Sequence, residues 1–139
     1  MSEPEAFVAQ FAFEVCALED HIDELGHVNH KVYVAWAEEA GVRHWRAVAP
    51  AADQARWIWV ASRLEIDFLR ETKQGERLRV ETRVGEPRGA RFERFVQIVS
   101  IDDGKLKARA RTTWALIDAI SRRPARVPPM LAALFTGSG

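Results

Sequence analysis

A lone cysteine, Cys16, leaves the chain without an intrachain disulfide and without the donors for a four-cysteine zinc site, which fits a reducing compartment. Neither sign of charge is in excess. Lys plus Arg number 20 and Asp plus Glu 20, for a net charge of +0, so the broad basic footprint usual for nucleic-acid binding is missing. The composition is not apolar enough for a membrane span. The start, MSEPEAFVAQ, is acidic and lacks a basic segment followed by an apolar core, so no secretory leader is expected there. Together these absences predict a cytoplasmic protein whose partners include neither nucleic acid nor a membrane. Also missing are the GxSxG elbow, the GxxxxGK phosphate loop, the GxGxxG dinucleotide turn and the HExxH zinc-protease helix. No internal repeat, linker or low-complexity stretch is visible.

What is present is 139 residues with 47% hydrophobic and 29% charged side chains, enough for one folded domain over residues 1–139. FAFEVCAL (11–18) alternates Phe11, Phe13 and Val15 and reads as a first strand, in which Cys16 is expected to be a buried structural thiol. From about His30 to Val48 the chain has no proline and places Glu39 four residues before Arg43, so it predicts a long helix. That helix is apolar on most of its circumference, with a polar stripe of Lys31, Glu38, Glu39, Arg43 and Arg46, and so is expected to be enclosed. Period-two alternation then marks strands over 57–69, 77–84, 91–101 and 105–118, and a short helix is expected at 129–135. Strand, long helix, then four strands on short connections is an α+β pattern in which about five antiparallel strands curl around the central helix.

Between the first strand and the helix lies DHIDELGHVNH, residues 20–30, crowded with titratable groups. Gly26 falls where the chain must turn sharply and suits a positive φ. Asn29 suits the helix N-cap. Asp23, a few residues before a helix start, stands where free backbone amides polarise a carbonyl oxygen, and a carboxylate there suits a nucleophile or general base in acyl transfer. The same position also permits simple electrostatic stabilisation of the helix. Asp20, His21, Asp23, His27 and His30 together form a competing divalent-metal reading, ranked lower because no HExxH pair is present and side chains in a turn need not converge. No metal and no cofactor are expected. His44, further along the helix, reads as a packed side chain. Arg88 and Arg91, flanking Gly89 in EPRGAR, suit a phosphate-pairing loop, or only a solvated one.

The stretch DHIDELGHVNHKVYVAWAEEAG resembles the hot-dog-fold acyl-CoA thioesterases, the group that includes 4-hydroxybenzoyl-CoA thioesterase. Asp23, Gly26, His27, Val28, Asn29, Tyr33 and Glu38 fall in register with that family's signature, while Asp20 lies three before Asp23 and His21 occupies the usual first-aspartate position. The later FLRETKQGERLRVETRV, RFERFVQIVS and ARTTWALID look like its sheet strands, so the resemblance spans roughly 11–128. It implies a long helix wrapped by a curved sheet, a homodimer or homotetramer with sites between chains, and an acyl-CoA or acyl-carrier substrate. It further implies Asp23 as the attacking or proton-accepting carboxylate and the His30 backbone N–H as the carbonyl-polarising donor. Gly26, His27, Asn29, Tyr33 and Glu38 become substrate-contact candidates, with Glu38 and then Glu39 as second choices for the carboxylate. Two alternatives stand beside it: a hot-dog enoyl-CoA hydratase, disfavoured because its Asn-Pro motif is absent, and a non-catalytic acyl-binding module.

Overall fold

Alternation and helical patterning in the chain resolve into nine segments in a computed structural model that describes residues 7–137. The start read as carrying no leader, residues 1–10, lies outside them for its first six residues. In order these are strand β1 (Phe11–Cys16), a single 3-10 turn (Glu19–His21), helix α1 (His30–Val48), helix α2 (Ala51–Arg56), strands β2 (Trp57–Phe68), β3 (Arg77–Val84), β4 (Arg91–Ser100) and β5 (Leu106–Asp118), and helix α3 (Pro129–Thr136). The expected elements are all there within two residues. The 3-10 turn and α2 were not foreseen, being too short to show a period.

The five strands form one antiparallel, curved sheet in the order β1-β3-β4-β5-β2. Its register is broken in two places, at Ala61/Arg63 between β2 and β5 and at Ile98/Val99 between β4 and β5. Such irregularities raise local twist and bend a sheet around what it covers. What it covers is α1, which packs on β1, β3 and β4, while α3 closes over the far half of α1. Tyr33, Trp36, Ala37, Ala40, Gly41 and His44 form the buried stripe of α1, at three- and four-residue spacing. Enclosure is therefore one-sided. Within a single chain Ala35, Glu38 and Val42 stay exposed on the opposite face, and β2, twelve residues long, has no strand on its outer edge among the described residues.

Two apolar clusters make the core. The first joins Val28, Tyr33, Trp36 and Ala40 to Leu78, Val80, Val96 and Ile98 at the beginning of α1. The second joins Val84, Phe92 and Leu116 to Leu131 and Phe135 of α3. Between them lies a polar layer of His44, Thr82, Arg94 and Thr112, all buried. Cys16 corrects its expectation: it shares the strand face of Glu14, away from Phe11, Phe13 and Val15, and is exposed.

Candidate active site

A tight hairpin carries Asp23. Its backbone N–H donates to the His27 carbonyl at 2.9 Å, and the Gly26 N–H donates to the Asp23 carbonyl at 3.0 Å. This three-residue loop ends in a left-handed residue, Gly26 at φ +80°, a conformation that costs a non-glycine residue its Cβ clearance. The Asp23 side chain is partly consumed by its own turn, since Oδ1 accepts from the Leu25 N–H at 2.9 Å. Oδ2 has no hydrogen-bond partner among the described residues. The loop is fastened at both ends: Val28 N–H donates to the Thr72 carbonyl at 2.8 Å and Asn29 N–H to the His21 carbonyl at 2.9 Å.

Asn29 is the N-cap of α1, with its side chain accepting from the Lys31 N–H at 2.9 Å and its carbonyl from the Val32 N–H at 2.9 Å. Those bonds leave the His30 N–H as a first-turn amide with no acceptor among the described residues, at the positive end of the helix dipole. The His30 ring itself is occupied otherwise, stacked on Phe68 at a centroid distance of 3.7 Å.

Asp23, His27, His30 and Tyr33 line one cavity of about 200 Å³, whose opposite wall is Phe68, the last residue of β2, and the following Leu69, Arg70 and Glu71. His27 Nε2 meets the Glu71 carboxylate at 2.7 Å across this cavity. Tyr33 is buried and donates its hydroxyl to Thr72 Oγ1 at 2.7 Å; desolvation on burial raises its pKa, so it stays protonated and acts as a neutral donor. The structure thus brings together four of the sequence candidates, with Gly26 and Asn29 shaping the frame around them. Phe68, Glu71 and Thr72 were missed. They lie at the end of β2 and just beyond it and carry no motif, so only their contact with the turn reveals them.

The remaining candidates lie elsewhere in the chain. Glu38 is exposed, eight residues along α1 from His30, roughly 12 Å in axial rise. Glu39 is engaged by Arg43 at 2.7 Å. Arg88 and Arg91 form the β3–β4 turn, their backbones bonded to each other at 2.8 and 3.0 Å. The Asp23 hairpin lies beyond the other end of β3, because Cys16 pairs with Arg77. The length of β3 separates the two, roughly 25 Å. As for metal, the histidines diverge: His21 Nδ1 accepts from the Leu18 N–H, His27 holds Glu71 and His30 stacks on Phe68. Among the described residues no three His, Cys, Asp or Glu side chains converge on a common point.

Residues 16–135 match the sequence profile of the thioesterase-like superfamily. No curated protein matches the chain in sequence. Among solved structures, a 1,4-dihydroxy-2-naphthoyl-CoA thioesterase from Synechocystis superposes with a TM-score of 0.76 at 20% identity, covering 90% of this chain and 94% of that one. A thioesterase from Thermus thermophilus, solved in complex with coenzyme A and zinc, gives 0.77 at 22% over 89% and 95%. A probable thioesterase from Escherichia coli gives 0.77 at 18% over 90% and 96%. At these identities the likeness establishes the hot-dog fold, a long helix against a curved five-stranded antiparallel sheet.

Proposed function

The chain belongs to the thioesterase-like superfamily and is in class a thioester hydrolase, and from that premise we propose that it cleaves an acyl- or aryl-CoA to the free acid and CoA, with Asp23 as the working carboxylate. One observation carries the reading. Asp23, whose Oδ2 has no partner among the described residues, and His30, whose helix-start N–H has no acceptor among them, line the same cavity, and acyl transfer needs that pairing. With the thioester carbonyl oxygen on the His30 N–H, its carbon becomes electrophilic. Asp23 Oδ2 then either bonds to that carbon, expelling thiolate and leaving an anhydride that water cleaves, or takes a proton from the water that attacks. Both routes end in carboxylate and thiol. Tyr33 and the His27–Glu71 pair shape the walls around the acyl group.

The same reading makes the working unit a homodimer, able to pair into a tetramer. The open edge of β2 and the uncovered face of α1 each need a partner surface, and a second copy supplies both. Glu38 lies on that face and is assigned a substrate contact across the dimer. Arg88 and Arg91, too far from the Asp23 of their own chain, are assigned the CoA phosphates bound at the partner's turn. No described helix is long and apolar enough to cross a membrane; we place the protein in the cytoplasm, where acyl-CoA is met. Thiol release from a panel of alkyl and aryl acyl-CoAs tests the reaction. Release from at least one, without added metal, is expected; none would leave a binding module or a hydratase. A single turnover in H₂¹⁸O then tests the covalent route, since ¹⁸O in the Asp23 carboxylate can come only from an anhydride opened by water at its aspartyl carbon.

A further inference from the structure

Arg94 is buried to 3% exposure and forms no ion pair among the described residues. It sits on β4 at the core-facing parity of Phe92, Val96 and Ile98. From α1 it meets the ring nitrogen His44 Nδ1 at 3.0 Å, from β3 the hydroxyl Thr82 Oγ1 at 2.9 Å, and from α3 the Phe135 ring at 5.3 Å. All are neutral. His44 Nε2 is turned to the Phe135 carbonyl at 3.1 Å, which makes Nδ1 the acceptor and the ring uncharged. Burial pushes the guanidinium down to about 10, which still leaves it charged at neutral pH. Isolated buried charge is disfavoured unless an anion joins it.

Space for that anion is present. Both protein bonds from Arg94 use Nη1, so Nε–H and the Nη2 hydrogens, the edge that matches a carboxylate bidentately, have no protein acceptor among the described residues. This guanidinium borders a cavity of about 140 Å³ walled by Trp45, Trp59, Phe92, Trp114 and Phe135. That is close to the volume known to take up a benzene ring. Two of the indoles are incomplete as well: Trp59 Nε1 and Trp114 Nε1 are buried N–H donors with no partner among the described residues. Thr112 Oγ1, opposite Arg94 on β5, is equally unpartnered. Donors outnumber acceptors here. Glu93 borders the cavity too, and its Oε2 is buried without a hydrogen bond among the described residues, but it belongs to the opposite strand parity and its charge is paired with Arg111 Nε at 2.7 Å. Gly41 is what keeps the place open. A Cβ there would meet Trp114 Cζ2 at 3.1 Å and Arg94 Nε at 3.2 Å.

We propose that this cavity, about 16 Å along α1 from His30, is a second binding site that takes a small free aromatic carboxylate, its ring among the tryptophans and its carboxylate on the Nε and Nη2 edge of Arg94. The site is distinct from the Asp23 cavity of the same chain, with which it shares no lining residue. It does not depend on the thioester reading, because its test is equilibrium binding without turnover.

Isothermal titration of the full chain with sodium benzoate, and with benzamide as the uncharged counterpart, is the experiment. Tryptophan fluorescence follows the same titration through the three indoles of the wall. Benzoate should bind once per chain, at least about tenfold tighter than benzamide, as expected for a charge-assisted pair against a neutral one. Arg94→Met should abolish that preference, and Arg94→Lys, which keeps the charge but not the fork, should recover only part of it. Gly41→Ala, which leaves every charge in place, should weaken both ligands by filling the mouth, and it keeps the test open if the Arg94 variants fold poorly. Equal affinity for benzoate and benzamide, benzoate binding unchanged in Arg94→Met, or no binding up to millimolar benzoate would each overturn the proposal.

Discussion

Replacing His44 by glutamine should remove a specific part of the protein's acid sensitivity. His44 is fully buried, its Nε2 on the Phe135 carbonyl and its Nδ1 receiving an N–H from Arg94. A proton on Nδ1 would have to displace that donor and stand beside a positive charge. Burial, and then the Arg94 charge, hold the imidazole down from 6.5 to about 4. The folded value is therefore below the unfolded one, so the unfolded chain binds the proton first. His44 contributes full stability above about pH 6.5 and loses it progressively as the pH falls toward about 4. For those two values, going from about pH 7.5 to about pH 4.5 costs about 2.5 kcal/mol through this one group. Urea unfolding of wild type and His44→Gln at both pH values isolates it, because the two proteins differ at that side chain alone. The wild type should lose about 2.5 kcal/mol more than the variant. Equal losses, or an NMR titration of the native His44 ring near its ordinary value, would refute the neutral, arginine-facing histidine.

Three other outcomes follow from the geometry. Tyr33→Phe removes the 2.7 Å bond to Thr72 Oγ1 and leaves a buried hydroxyl short of a donor, so urea unfolding should show a loss of about 1–2 kcal/mol. Light scattering at micromolar concentration should give at least twice the chain mass of 15.8 kDa, and Val42→Glu on the uncovered face of α1 should shift it toward one chain. Replacing Arg88 and Arg91 together by alanine should raise KM for an acyl-CoA far more than it lowers kcat, since a phosphate contact is equal in ground and transition states.

Much of this architecture was readable because its periods are long and unbroken. α1 begins at His30 and ends at Val48 as read, since Asn29 caps it and no proline interrupts. β3 over Arg77–Val84 is a clean alternation of arginine or glutamate with apolar residues and threonine. Cys16 misled because apolar character and strand position say nothing of face, which Glu14 alone could have set. The turn was legible through Gly26 and Asn29, whose roles are local. What converges on Asp23 from Phe68–Glu71 is not local, and nothing in a single sequence states that contact. Arg94 did leave a signal: an arginine at the inward parity of β4, between Phe92 and Val96, is a buried charge waiting for an explanation.

The thioesterase account stands or falls on the Asp23 carboxylate, and Asp23→Asn measures it with the least disturbance. The amide oxygen can still accept from the Leu25 N–H, so the hairpin that Oδ1 closes at 2.9 Å is preserved, and the His30 N–H is backbone that no side-chain change removes. Thiol release by this variant should show kcat reduced by at least about 100-fold, with circular dichroism, chain mass and acyl-CoA binding unchanged. Glu38→Gln and Glu39→Gln should lose less. A variant within a few-fold of wild type, beside an inactive Glu38→Gln or Glu39→Gln, would contradict the account and move the working carboxylate from the turn to the helix.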